Sequence, residues 1–192
     1  QGRNEPYHAI FGDVPSVCLR VPTGGGKTIM AAHSIALAGK TVLDSDAPLA
    51  LWLTPSDTIR TQTLEALANA RHPYRQALAH YFGDRVKVCD LESLQTISPH
   101  DVGKSCIVVV SDTGKRNVYS FFEELAPHFD NLPPNVQAGL ELVKPEDLEV
   151  QRYLTPKDVG RVKYSVANWL NLQRPIVIVD EAHNNRTERF FQ

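Results

Sequence analysis

Long apolar runs are missing from the 192 residues. None approaches the roughly 18 needed for a membrane span, and the polar start QGRNEP lacks the charged-then-greasy order of a signal peptide. The expectation is therefore a soluble, cytoplasmic chain. Cysteine is scarce: Cys18, Cys89 and Cys106 form no CxxC pair, which argues against a disulfide framework or a zinc knot and leaves buried free thiols as the expectation. Net charge is nearly absent, since 20 Lys and Arg stand against 22 Asp and Glu, a formal balance of −2. Nothing so neutral draws polyanions along its whole surface, so any nucleic-acid contact must be local. Repeats with periods of 20 to 50 residues and low-complexity tracts are also lacking, which excludes solenoids and linker arrays. His33, His72, His80, His100 and His128 show no metal-ligand spacing. What is present is a 42% hydrophobic chain, enough to build the core of one ordinary globular domain.

Its apolar residues are arranged as an alternation. Short β-rich runs recur at SVCLRV (16–21), LALWLT (49–54), RVKVCD (85–90), SCIVVVS (105–111) and PIVIVD (175–180). Three are near-continuous in Val, Ile and Leu, as in strands covered on both faces. Helical patterns lie between them: residues 28–38, with Gly39 as a left-handed stop, and residues 57–70, with Ile59, Leu64 and Leu67 along one side. Such a chain should form an α/β domain with parallel pairing, its sheet flanked by helices in three layers. From about 112 to 172 the pattern changes. Pro127, Pro133, Pro134, Pro145 and Pro156 interrupt short amphipathic pieces at 119–125 and 164–172, which reads as a mainly helical insertion. Its aromatics Tyr119, Phe121, Phe122, Phe129 and Trp169 could stack on bases, but packing against the sheet is favoured.

The segment VPTGGGKT (21–28) stands between a predicted strand and a predicted helix. Gly24, Gly25 and Gly26 let the backbone curl so that successive amides point inward, and the helix that follows aims its positive end at the same spot. Phosphate oxygens suit that cradle. Thr23 to Thr28 would bind a nucleotide's phosphates, with Lys27 reaching β and γ and the Thr28 hydroxyl on Mg²⁺. The plain alternative is a glycine loop that caps a helix. The general pattern GxxxxGK[ST] asks for Gly where Val21 stands, so the local match is partial. Far downstream, PIVIVDEAH is an apolar strand ending in Asp180 and Glu181, and strand ends are where an α/β sheet places its ligand. Asp180 would then hold Mg²⁺, and Glu181 would orient or deprotonate the attacking water.

Together, VPTGGGKT and VIVDEAH resemble the first RecA-like motor domain of superfamily 2 helicases and translocases, DEAH-box type, where a hydrophobic residue in place of the first Gly is ordinary. LTPSDTIRTQT (53–63) looks like motif Ia of that superfamily, with Asp57 standing where Arg is common. The combination is most similar to the motor (Res) subunits of type III restriction enzymes. The resemblance implies a P-loop NTPase that hydrolyses ATP with Mg²⁺ to drive movement on DNA, with RNA as the other candidate track. It implies that His183 couples the nucleotide site to the nucleic acid, and that Thr54, Pro55, Ser56 and Arg60 lie along one strand's phosphates. Residues 54–57 are equally a good helix start with Ser56 or Asp57 as cap.

Relatives usually carry an adenine-reading Gln upstream of the phosphate loop; none matches here, and Tyr7 is the available substitute. Ser111 and Thr113 are candidates for a further nucleic-acid contact. The chain ends soon after DEAHNNRT, before the SAT motif, the second motor domain or any PD(D/E)xK nuclease pattern. In such motors the second domain supplies arginine fingers worth roughly 10³ to 10⁵ in rate, so this chain alone is expected to bind Mg-ATP weakly and to hydrolyse it barely. Methylase or nuclease subunits are possible partners. The rival from another class is a non-motor module in which the nucleotide switches a protein interaction surface. A GTPase or small-molecule kinase is disfavoured, because there is no NKxD guanine signal and DEAH after an apolar strand is foreign to kinases.

Overall fold

A computed structural model describes residues 14–22, 24–114 and 117–182. Its centre is a sheet of four parallel strands, β1 (Leu49–Thr54), β2 (Val86–Asp90), β3 (Cys106–Asp112) and β4 (Ile176–Val179), in the order β2-β3-β1-β4. In register, Trp52 stands beside Val110 on one neighbour and Ile178 on the other. Helices follow the strands in the usual α/β manner: α1 (Lys27–Val42), α2 (Asp57–Ala68) and α3 (Pro73–Phe82) come before β2, and α6 (Val166–Gln173) leads into β4.

The near-continuous apolar strands are explained by cover on both faces. Along β3, Cys106, Val108 and Val110 face one core with Ala32, Ile35, Leu67, Leu78 and Trp52. Ile107 and Val109 face the other, with Leu94, Leu125, Phe129, Val166 and Trp169. Successive side chains point to opposite faces, so an uninterrupted run serves two layers at once. Thus α1, α2 and α3 cover one face, while α6 and the segment after β3 cover the other.

That segment is built less regularly than its amphipathic pieces suggest. Residues 119–125 do not form one helix; 3₁₀ turns at Asn117–Tyr119 and Glu123–His128 flank Phe121, which bridges Ser165 in antiparallel fashion. Short helices α4 (Pro134–Gln137) and α5 (Asp147–Val150) follow, then a 3₁₀ turn at Pro156–Asp158. With prolines removing amide donors, side chains supply the cross-links. Asn168, almost fully buried, donates from Nδ2 to the carbonyls of Glu141 at 2.8 Å and Lys163 at 2.7 Å, and its Oδ1 accepts from the Glu141 amide. Phe121, Phe129 and Trp169 are buried here and Phe129 stacks on Tyr164, so these rings are packing elements and not an open platform for bases.

Three local expectations are corrected. The run 16–21 is irregular, with Val17 80% and Leu19 54% exposed; Pro15 and Pro22 flank it and withhold two ladder donors. Cys18 within it is exposed, whereas Cys89 and Cys106 are buried thiols pushed up to about 12 by desolvation. Gly39 does not stop α1, which runs on to Val42. Its lack of a side chain serves close approach instead: a Cβ there would lie 2.8 Å from Pro48 Cγ and 3.3 Å from the Ser45 carbonyl. Gly39→Ala should therefore destabilise the fold by up to about 2 kcal/mol, because an overpacking cost of about 1 to 3 kcal/mol outweighs the roughly 1 kcal/mol gain in helix propensity. A urea midpoint shifted upward instead would show that α1 and the loop at Pro48 can part without loss.

Candidate functional site

The C-terminal edge of the sheet gathers the polar strand ends Thr54, Asp90, Asp112 and Asp180. Beside it the glycine loop makes a tight turn, with the Gly25 amide donating to the Pro22 carbonyl at 2.9 Å. Gly24 and Gly26 take φ of +78° and +81°, values that side-chain-bearing residues avoid. Gly25 is required for space, since a Cβ would come within 2.7 Å of Val21 Cγ1. Val21, standing where the general pattern has glycine, thus packs on the loop and helps shape it. Gly26 is the N-cap of α1; among the described residues no side chain caps the helix, and no acidic residue lies in its first turn. The leading amides of α1 therefore keep their positive end for an anion.

At the far end of the sequence, β4 stops at Val179 and the Asp180 amide continues the ladder by donating to the Leu53 carbonyl at 2.9 Å. The next residue breaks away: Glu181 has φ +50°, a left-handed conformation that costs a non-glycine residue about 1 kcal/mol or more. That turn aims its carboxylate at the glycine loop. Lys27 Nζ, at the first residue of α1, meets Glu181 Oε1 at 2.5 Å across 154 positions of sequence. Burial raises the Asp180 carboxyl above its ordinary value and the charge of Glu181 adds to this, while the Glu181 backbone and Lys27 pull it back. A half-buried carboxylate, a lysine, uncapped amides and the Thr28 position at the second residue of α1 make a donor set that fits a magnesium-bound phosphate chain. The sequence-predicted residues Lys27, Asp180 and Glu181 come together with Gly24 to Gly26; Thr23 and His183 lie outside the described residues, as does Tyr7.

The residues expected along the nucleic-acid path are placed differently from one another. Thr54 is fully buried, and its hydroxyl lies 3.2 Å from the carbonyls of both Ser56 and Ser111, fastening the end of β1 to that of β3. Ser56 is the N-cap of α2, accepting from the Ile59 amide. Pro55 is half-buried beside it. Arg60 Nε and Nη2 bind Asp57 at 2.9 and 2.8 Å, and Nη1 binds Asp90 at 3.0 Å. Ser111 is buried, its hydroxyl turned to the Asp112 carbonyl. Asp90 is the residue that motif reasoning passed over. Burial pushes its carboxyl up, but hydrogen bonds from the Ser93 side chain and amide, together with Arg60, outweigh this and hold it below the usual range. Its position at a strand end, three residues before a serine, was the available signal.

A family model described as the type III restriction enzyme, res subunit, matches residues 12–192. The chain belongs to this family. Comparisons with curated proteins and with solved structures return no match. Membership and the parallel sheet together give a RecA-like P-loop fold, and the res-subunit chain is a helicase-like, ATP-binding motor domain. Among its described residues no helix is long and apolar enough to cross a membrane.

Proposed function

We propose that this res-type domain hydrolyses Mg²⁺-ATP to drive movement along DNA, as a superfamily 2 motor of the DEAH-box type, with RNA as the other candidate track. The observation that carries the reading is the convergence of Lys27 and Glu181 from opposite ends of the sequence onto one loop. In this reading, Thr23 to Thr28 hold the phosphates, Lys27 reaches the terminal ones, and Thr28 and Asp180 hold the metal. Glu181 takes the proton of the attacking water, and His183 links this site to the nucleic acid. Magnesium, when bound, supplies neutralisation of the phosphate charge. The whole motor would add a second RecA-like domain and would act with methylase or nuclease subunits.

A specific observation favours a second reading, the nucleotide-controlled switch. Arg60 is occupied by two carboxylates, and Asp57, Glu92 and Asp112 share the same edge of the sheet. An edge so acidic repels phosphates unless other residues offset it. The two readings separate on one assay. For a motor, adding single- or double-stranded DNA to the full-length protein should raise ATP turnover at least tenfold, with salt suppressing the effect steeply. Turnover indifferent to DNA and RNA alike would favour the switch.

A further inference from the structure

At the opposite end of the sheet from the glycine loop, the turn that leads into β3 brings two nitrogen bases together. Lys104 Nζ stands 2.6 Å from His100 Nε2, and both residues are exposed. An ammonium has only protons to offer, so the imidazole nitrogen accepts. The carboxylate of the same turn is committed elsewhere. Asp101 Oδ1 binds Lys87 at 2.8 Å, and Oδ2 accepts from the Ser98 amide and hydroxyl at 3.0 and 3.1 Å. The backbone beneath the pair is pinned on both sides of the lysine: the Lys104 amide donates to the Asp101 carbonyl at 3.2 Å, and the Lys104 carbonyl accepts from Arg85 Nη1 at 3.2 Å. That second bond draws the exposed Arg85 fork, a geometry suited to phosphate oxygens, alongside the lysine.

We propose that Lys104 is a nucleophilic acylation site, served by His100 as general base and by Arg85 as anchor for the donor, an acyl phosphate. A basic neighbour within hydrogen-bond reach is what turns a protonated side chain into a nucleophile, and imidazole is the side-chain base suited to neutral pH. The Lys104 nitrogen attacks the acyl carbon; the C–N bond forms, and the C–O bond to phosphate breaks with its electron pair leaving on the phosphate. The ammonium loses two protons through His100 Nε2, one ending on the departing phosphate and one in water. Acylation removes a positive charge from this corner, while the backbone bonds that hold the turn remain. The site is independent of the nucleotide reading above.

The test applies acetyl phosphate at neutral pH to the full-length protein and follows acetylation by peptide mass spectrometry, with the exposed Lys40 and Lys157 as internal references. Lys104 should react about fivefold faster than either, the rate equivalent of the roughly 1 kcal/mol that an exposed pair supplies. His100→Gln and His100→Ala, at unchanged melting temperature, should bring Lys104 down to the reference rate. Arg85→Gln should slow the reaction with acetyl phosphate by about two- to fivefold and leave that with p-nitrophenyl acetate, an uncharged donor, unchanged. Lys104 labelled no faster than the references overturns the site. An advantage that survives both His100 substitutions overturns the base, and an Arg85→Gln effect that is equal for the two donors, or absent from both, overturns the anchor.

Discussion

Glu181→Gln is expected to reduce ATP turnover of the full-length protein by about 10² to 10⁴ while leaving nucleotide binding intact or slightly tighter, the range associated with loss of a general base. Glutamine keeps the shape of the side chain and can accept a hydrogen bond, but it cannot take a proton at neutral pH. The residue is well placed for the role. The turn at φ +50° sends its carboxylate toward the glycine loop, whereas Asp180, still tied to Leu53 by its amide, stays in line with the strand. Two adjacent carboxylates are thus given different surroundings, with Asp180 drawn into the half-buried edge and Glu181 on the solvent side against Lys27. Environments that differ in this way are how paired acids divide their work. Single-turnover measurement with bound ATP isolates the chemical step. A variant that hydrolyses at the wild-type rate would remove Glu181 from the reaction and point to another base.

Much of this was legible in the chain. The four strands formed within one residue of their β-rich runs, since Val- and Ile-rich segments between turn residues admit few other fates in an alternating pattern. The carboxylate that turns out of β4 toward the glycine loop was foreseeable, because strand geometry ends where the strand does. What escaped was whatever depends on a neighbour. The run at 16–21 has strand composition, but a strand needs a ladder, and its bracketing prolines weaken one. Gly39 looks like a stop in one dimension and serves as a contact surface in three, because Pro48 returns to within touching distance. Arg60 reads as a phosphate contact by motif, yet its fork is taken by Asp57 one turn away and by Asp90 thirty residues on, a pairing that no local pattern encodes. Helix α3 was passed over because its apolar residues are diluted by polar ones, although His72 and Pro73 mark its start and Gly83 its end.

Lys27→Ala is expected to weaken binding of ADP and ATP by about a hundredfold or more, on the order of 3 kcal/mol. Two effects add. Charge-assisted hydrogen bonds to the phosphates disappear, and the carboxylates of Asp180 and Glu181 lose the cation that offsets them. Among these three residues the formal charge goes from −1 to −2, so a polyphosphate approaching the amides of α1 meets net repulsion. The fold itself should barely respond, because a pair that is 30% and 29% exposed contributes at most about 1 kcal/mol to stability. A thermal-shift series separates the two consequences. Without nucleotide, the wild type and the variant should melt within a few degrees of each other; with millimolar Mg-ADP only the wild type should rise, since a ligand stabilises in proportion to the logarithm of its concentration over Kd. Lys27→Arg should recover part of the affinity but not all, because a planar guanidinium restores the charge without reproducing the reach of a compact ammonium at the first residue of the helix. Equal nucleotide-induced shifts in wild type and Lys27→Ala would mean that the glycine loop is only a helix start, and the motor reading would lose its anchor.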